Sequence, residues 1–398
     1  MDRAAIEQLV VRITTQVGRA FAANEDVVRL LVTALLARGH VLLDGSSGVG
    51  KTLLARVFIQ SLGFSSLRLQ LSADLKPSEV LATGRLVTAH LLLVDELNRG
   101  TPRAQAALLQ ALDERSVTVD GAVVELPDPF WVIATTNSEE RVGAFPLPDE
   151  LVERFFVTGR IERPATAVEE EMGRRFRDGL DPSRLDDLGI TPATSPEELK
   201  AAQAFVSQTH VEDSIIRYAT SLAAETRAHA EIERGASPRA TLALIAMSRA
   251  LAVLEGREFV IPDDVKSIAL PVFRSRLLLT PEAEIGGVEV DGLVRQILER
   301  VRAPGAGETV RPSRLRTSPL LSEPPGPRTL RPSAAPLPTP PLAESSRPGP
   351  SENVSAVGRR ADSPAAPSSP SPNGSLQPTQ TTNRPHTSPL AREPGEDR

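Results

Sequence analysis

Eight consecutive residues near the start of the chain have the composition of a loop that binds phosphate. They match the pattern G-x-x-x-x-G-K-[ST] in full and are Gly45, Ser46, Ser47, Gly48, Val49, Gly50, Lys51 and Thr52. In such a loop the backbone N–H groups and the positive end of the following helix surround the phosphates, the lysine reaches the β and γ oxygens, and the hydroxyl faces Mg²⁺. A flexible glycine turn is the alternative. The pattern predicts a site for ATP and Mg²⁺.

A second segment with candidate chemistry is a short apolar run that ends in two carboxylates. Leu91–Val94 is followed directly by Asp95 and Glu96. After a phosphate loop, an acid at the end of such a strand is placed to hold the Mg²⁺ complex, which is the role we assign to Asp95. Glu96 could polarise the attacking water, since hydrolysis needs a base within hydrogen-bond reach. Alone, the run would equally fit a solvated strand end.

The elements around these residues alternate between strand and helix patterns. The phosphate loop follows a predicted strand, Val41–Leu43, and opens a predicted helix, Lys51–Leu62. Further predicted elements are the strands Leu67–Leu71, Leu91–Val94 and Phe130–Thr135, the helix Ala104–Glu114, and a hairpin of Val117–Val119 and Val123–Leu126 around Asp120-Gly121. Such alternation predicts an α/β fold, an αβα sandwich with a parallel sheet of five strands.

The regions before and after this alternation have other sequence patterns. Two helices, Arg3–Phe21 and Glu25–Arg38, precede the first strand, with Asn24 as a cap. The stretch from Glu162 to Pro196 is charged and loop-like, and only helical patterns follow it, at Glu197–Ser207, Glu212–Arg227 and Pro238–Glu255, the last capped by Ser237. We therefore expect four regions: a P-loop core (1–162), a linker (163–195), a small all-helical lid (196–302) and a disordered tail (303–398).

Composition supports the tail and excludes several functional classes. From Pro304 onward lie 21 of the 35 prolines and no aromatic residue, so this segment cannot bury enough apolar surface to fold. It holds 11 Arg and 8 acidic residues, and the total charge of −6 therefore leaves about −9 for residues 1–302. That acidic charge argues against nucleic acid as a partner. The lack of Cys and of a long apolar run favours a cytoplasmic protein without a membrane span.

Several further motifs occur in the order typical of one family. They are Asp95-Glu96-Leu97-Asn98-Arg99, the run from Gln105 to Arg115, the run from Leu126 to Asn137, Phe145-Pro146-Leu147-Pro148, Gly235-Ala236-Ser237-Pro238-Arg239-Ala240 and Pro262-Asp263-Asp264-Val265. With the phosphate loop, these motifs resemble the MoxR branch of the AAA+ ATPases over about residues 17–280. Two features depart from the family pattern. The segment before the acidic strand, Arg85–His90, is shorter than the family usually has, and Ser138 follows Asn137 where proline is usual.

The resemblance implies roles for three more residues. Asn137 resembles the sensor that orients water, Arg154 resembles the arginine finger that reaches a neighbouring subunit's γ-phosphate, and Arg239 resembles the second sensor on the lid. Each has a simpler alternative: a turn Asn, a surface Arg near a helix end, and a solvated first-turn Arg.

The resemblance also implies an assembly and a biological role. It implies a homo-oligomer, a hexameric ring with ATP between subunits, and a chaperone-like ATPase that acts on protein clients, among them proteins with von Willebrand factor A domains. A nucleotide-gated switch with little turnover, whose tail recruits partners, is one alternative. An AAA+ subunit that serves nucleic acid or metal chelation is another.

Overall fold

A computed structural model describes residues 1–20, 25–81, 86–119, 121–140, 142–179, 181 and 184–305. The predicted cap Asn24, Asp120 of the hairpin turn and the tail from 306 onward lie outside these ranges. In the described ranges, no helix combines the length and apolar character that crossing a bilayer requires.

The secondary structure alternates first and then becomes mainly helical. In chain order the elements are α1 (Arg3–Ala20), α2 (Glu25–Leu36), β1 (His40–Asp44), α3 (Lys51–Leu62), β2 (Ser66–Gln70), α4 (Pro77–Leu81), β3 (Leu91–Asp95), α5 (Pro102–Ala106), α6 (Leu109–Glu114), β4 (Ser116–Val119), β5 (Ala122–Glu125), β6 (Trp131–Thr136), α7 (Asp149–Val152), β7 (Phe155–Arg160), α8 (Thr166–Arg177), α9 (Pro196–Ser207), α10 (Asp213–Ala228), β8 (Ile232–Arg234), α11 (Pro238–Leu254), α12 (Pro262–Phe273), β9 (Leu278–Leu279), α13 (Pro281–Ile285) and α14 (Val290–Arg300).

The central sheet confirms the predicted parallel five-stranded architecture. In the described chain its strand order is β2-β3-β6-β1-β7, and each neighbouring pair is parallel. Successive residues of β3 pack into the apolar clusters on opposite faces, with Leu91 and Leu93 on one side and Leu92 and Val94 on the other. Such strands, buried on both faces, read as unbroken apolar runs. Because all five strands are parallel, their carboxyl ends and the loops that follow them lie along the same edge of the sheet.

The helical region packs against one face of the sheet and continues its apolar cluster. Ser237 caps α11, accepting a hydrogen bond from the Arg239 N–H at 3.2 Å, and Pro238 occupies its first turn. A ladder of β8 and β9, which no sequence pattern indicated, adds two short strands to the predicted helices. After α12, the buried Arg276 guanidinium donates to the Glu153 carboxylate and to main-chain carbonyls at the start of β7. This contact ties the helical region to the sheet.

One local prediction was wrong, and another is confirmed only in part. Within the segment predicted as loop-like, residues 166–177 form the helix α8, which buries none of its side chains. Its charged side chains form pairs one turn apart, Glu170–Arg174 at 3.0 Å and Glu171–Arg175 at 3.1 Å. Its apolar side chains Val168, Met172 and Phe176 recur every fourth residue, and Met172 and Phe176 are exposed. The predicted single helix Ala104–Glu114 is interrupted between α5 and α6, although the intervening residues keep right-handed backbone angles. The predicted hairpin is confirmed as β4 and β5.

Candidate nucleotide-binding site

The loop between β1 and α3 has the backbone geometry of a phosphate cradle. Gly45, Gly48 and Gly50 all have positive φ angles, of 155°, 84° and 95°. A Cβ on Gly45 would lie 2.3 Å from the Ile161 carbonyl oxygen, so only glycine fits there. Lys51 opens α3, and its Nζ donates to the carbonyls of Gly45 at 2.7 Å and Ser46 at 2.8 Å. The lysine thus lies across a loop that leads into a helix N-terminus, as phosphate binding requires.

Asp95 stands beside this loop at the end of β3 and is held by three donors. Its Oδ1 accepts from the hydroxyls of Thr52 at 2.8 Å and Thr135 at 2.6 Å, and its Oδ2 accepts from Arg68 at 2.6 Å. Burial alone would raise the pKa of Asp95, but these hydrogen bonds and the charge of Arg68 outweigh it and hold the pKa below its usual value. Asp95 is therefore an ionised carboxylate with a fixed orientation.

Thr52 and Asp95 fit a magnesium site. Mg²⁺ prefers oxygen ligands and is commonly held in proteins by one or two side chains, water and the substrate phosphates. The Thr52 hydroxyl and the Asp95 carboxylate oxygen are such ligands, and they face each other at the rim of the phosphate loop. These two residues would hold the ion next to the phosphates.

Glu96 is turned away from Asp95 by an unusual backbone conformation. Its φ of 54° lies in the left-handed region, and its N–H donates to the Thr135 hydroxyl at 2.9 Å. The carboxylate lies 3.4 Å from the Arg99 guanidinium and accepts a hydrogen bond from Gln70, also at 3.4 Å. Glu96 lines a cavity of about 280 Å³ together with Lys51, Thr52 and Asn137. Adjacent carboxylates thus face different positions, one toward Thr52 and one into the cavity.

Asn137 follows β6 and presents an unpaired acceptor. Its amide nitrogen donates to Ser47 at 3.3 Å and to Glu140 at 3.2 Å, whereas its Oδ1 is buried without a hydrogen-bond partner. The Asn98 side chain holds the main chain here by donating to the Asn137 carbonyl at 2.9 Å. Since buried polar atoms are rarely unpaired, this oxygen fits a site that receives a water or a ligand.

Arg154 and Arg239 lie together, but away from this cavity. Arg154 directly precedes β7, whose first residue pairs with His40 at the start of β1, so it lies at the amino edge of the sheet. About 13 Å of strand separates that edge from the phosphate loop. Arg154, with its side chain 10% exposed, pairs with Asp113 at 3.2 Å, and Arg239 pairs with the other oxygen of Asp113, also at 3.2 Å. The structure brings the two arginines to one carboxylate.

Several residues of the site were missed by the sequence analysis. Thr135 and Arg68 hold Asp95, Asn98 holds the chain at Asn137, and Arg99 joins Glu96 to Glu140 with a contact of 2.6 Å to the latter. Strand alternation could have indicated Thr135, a polar residue near the end of an apolar strand next to β3. Asn98 and Arg99 belong to the motif that begins at Asp95, but the motif alone gave them no role, and Arg68 carried no signal because its partner Asp95 is distant in sequence.

Comparison with known proteins places this geometry in a known class. Residues 40–157 match the family described as "ATPase family associated with various cellular activities (AAA)", and residues 224–297 match the AAA lid domain. The fold, the phosphate loop and these matches define an AAA+ ATPase.

Individual relatives indicate the branch of the AAA+ ATPases to which the chain belongs. The chain is 33% identical to protein YeaC of Bacillus subtilis over 77% of this chain and 98% of the relative. It is 32% identical to Chaperone MoxR1 of Mycobacterium tuberculosis over 73% of this chain and 81% of the relative. A solved structure of a candidate ATPase from Cytophaga hutchinsonii matches with a TM-score of 0.68 and 25% identity, over 76% of this chain and 97% of the other. The chain belongs to the MoxR family of AAA+ ATPases.

Proposed function

We propose that the chain binds ATP with Mg²⁺ and hydrolyses it. The observation that carries this proposal is that Lys51, Thr52, Glu96 and Asn137 line the same cavity of about 280 Å³. It brings a phosphate-binding cation, a metal-binding hydroxyl, a candidate base and an unpaired amide oxygen to one place. These groups suit phosphoryl transfer, since positioning and charge stabilisation provide most of its catalysis.

Each side chain has a separate role in this mechanism. The loop amides and Lys51 would hold the β and γ oxygens of the nucleotide, and Thr52 and Asp95 would hold Mg²⁺, which would supply positive charge next to those oxygens. Glu96 accepts the proton of the attacking water, and the free Oδ1 of Asn137 orients that water. The left-handed backbone of Glu96 supports this division of roles, because it separates the base from the metal-binding carboxylate.

Arg154 and Arg239 act on the nucleotide of a neighbouring subunit in this proposal. Both pair with Asp113, at the sheet edge opposite the chain's own phosphate loop. A guanidinium at that edge can reach a phosphate only if another copy presents its own loop there, where the fixed cation stabilises charge on the transferred group. We therefore propose a homo-oligomer, a hexameric ring with nucleotide between subunits.

The ring is proposed to act as a chaperone-like machine on protein clients in the cytoplasm. The name of the relative Chaperone MoxR1 supports this role by analogy. Proteins with von Willebrand factor A domains are the clients we propose to test first.

ATP turnover of purified protein tests the chemistry. Glu96→Gln should still bind ATP and lose turnover by about 10²- to 10⁴-fold, because it removes the base and keeps the shape. Glu139→Gln is the matched control, since Glu139 faces Arg160 on the surface at 3.8 Å and does not line the cavity. Wild-type protein that binds ATP and shows no turnover in the assembled state would favour the nucleotide-gated switch.

Subunit mixing tests the neighbour's contribution. Lys51→Ala and Arg154→Ala should each be inactive alone. Mixed oligomers should recover activity, because a Lys51→Ala subunit still offers Arg154 to the intact loop of an Arg154→Ala neighbour. Native mass spectrometry of the same samples gives the number of subunits. Oligomers that mix and stay inactive would contradict the role in trans.

A further inference from the structure

Arg68 is a cation in direct contact with the carboxylate proposed to bind the metal. It lies on β2, which is an outermost strand of the sheet and pairs with β3. Two residues after Arg68 on this strand, Gln70 pairs in register with Asp95. Because side chains alternate along a strand, Arg68, Gln70 and Asp95 share one face. The Arg68 guanidinium reaches along that face and donates to Asp95 Oδ2 at 2.6 Å.

The contact uses the oxygen of Asp95 that the threonines leave free. Thr52 and Thr135 both donate to Oδ1, so Arg68 is the described donor to Oδ2. The Asp95 side chain is 3% exposed, whereas that of Arg68 is 46% exposed. A hydrogen bond between two charged groups at this distance is stronger than a neutral one, and guanidinium stays protonated at any physiological pH. The charge of Asp95 is therefore already partly balanced by its own chain.

We propose that Arg68 competes with Mg²⁺ for Asp95 and so sets how much Mg²⁺ the nucleotide site requires. The inference rests on the proposed function, since the ion concerned is the one held with the nucleotide. Two cations at one carboxylate repel each other, so the guanidinium weakens the binding of the metal. Arg68 is thus a positioning residue that tunes the metal site.

The surroundings of Arg68 allow it to move when the metal binds. Its side chain lines an open cavity of about 940 Å³ between α3, β2 and the segment around Pro192. A guanidinium displaced into this cavity stays in contact with water and avoids the cost of an unpaired buried charge. Arg56 lines the same cavity from α3 and has no ion pair or hydrogen bond with Asp95, which makes it a matched control.

A Mg²⁺ titration of nucleotide binding tests the proposal without measuring turnover. The affinity of the full chain for fluorescent mant-ADP is measured at increasing Mg²⁺ from an EDTA background, for wild type, Arg68→Gln, Arg68→Lys and Arg56→Gln. Arg68→Gln should lower the half-saturating Mg²⁺ concentration by about tenfold, the equivalent of about 1.4 kcal/mol. Its affinity without Mg²⁺ should change less than about twofold on the same energy scale. Arg68→Lys should keep the wild-type requirement within about threefold, and Arg56→Gln should match wild type.

The outcomes separate this inference from the proposed function. An equal Mg²⁺ requirement in wild type and Arg68→Gln overturns the inference. A higher requirement in the variant also overturns it, because Arg68 would then favour metal binding by orienting Asp95. Wild-type protein without affinity for mant-ADP at any Mg²⁺ concentration overturns the proposed function itself. Circular dichroism checks the fold, and if Arg68→Gln does not fold, Arg68→Ala and Arg68→Met replace it with the same expected decrease.

Discussion

His40 opens β1 and is buried at the amino edge of the sheet, where it makes the folded protein sensitive to acid. Its Nδ1 accepts from the Val132 N–H at 3.1 Å, and its Nε2 lies 3.3 Å from the Leu112 carbonyl. Both contacts are satisfied by the neutral ring protonated at Nε2. Burial, and then the nearby charge of Arg115, lower the pKa of His40 from 6.5 to about 4. Protonation would add a second N–H that has no acceptor and a buried charge.

The size of the effect follows from the difference between the two states. Unfolded chains bind the proton near pH 6.5 and the folded protein near pH 4, so between these values the unfolded state carries more protons. The stabilisation by neutral His40 is complete above pH 6.5 and is lost as the pH falls toward 4. At about 1.4 kcal/mol per pH unit, the loss between pH 7 and pH 5 is about 2 kcal/mol, and the total is about 3 kcal/mol.

Urea unfolding at pH 7 and pH 5 measures this loss, with His40→Asn as the reference. Asparagine keeps an acceptor near the Nδ1 position and does not titrate, so the variant should lose about 2 kcal/mol less than wild type over this interval. Arg115→Gln should raise the pKa of His40 and reduce the loss, since it removes the second cause of the shift. Equal losses in wild type and His40→Asn would refute the reasoning, because the histidine would then titrate alike in both states.

Further substitutions test contacts elsewhere in the fold. Arg276→Met removes a guanidinium that is 1% exposed and should lower the free energy of unfolding by about 3–5 kcal/mol in urea. Arg300→Met, at an exposed ion pair, should lower it by less than about 1 kcal/mol. Similar losses in the two variants would contradict a structural role for Arg276. Ser138 donates its hydroxyl at 2.7 Å and its N–H at 2.9 Å to Asp44. Ser138→Ala should therefore cost about 1 kcal/mol and Ser138→Pro about twice as much, and equal unfolding midpoints would exclude this. Gly173→Ala should stabilise α8, because alanine favours helix and a Cβ at this position meets no atom within 4 Å. Amide exchange should show a free energy of local opening that is higher by up to about 1 kcal/mol. Faster exchange in the variant would refute this prediction.

Local sequence patterns were sufficient to predict the loop and the strand that form the candidate nucleotide site. The glycines of residues 45–50 allow the positive φ angles that such a loop requires, and the unbroken apolar run Leu91–Val94 is typical of a strand covered on both sides, as the structure shows. By contrast, α8 was missed although Val168, Met172 and Phe176 recur every fourth residue, because charged residues dominate the segment between them. Its stabilising pairs of charges look the same as the charges of a solvated loop.

The connections between site residues could not be read from the sequence. Arg68 and Asp95 lie on neighbouring strands, and their contact depends on the register of β2 against β3. Arg154 and Arg239 lie far apart in the chain, and Asp113, which holds both, lies in the motif from Gln105 to Arg115, which by itself assigned it no role. A motif names a residue, whereas its partners depend on how distant segments fold together. The roles of the site residues stay predictions until turnover is measured.

If Glu96 is the base that we propose, its left-handed backbone means that the residue needed for turnover lowers the stability of the fold. A non-glycine residue in that region costs on the order of 1 kcal/mol, which glycine would not incur. Replacement of Glu96 by glycine should therefore yield a protein that resists denaturation better and is catalytically dead.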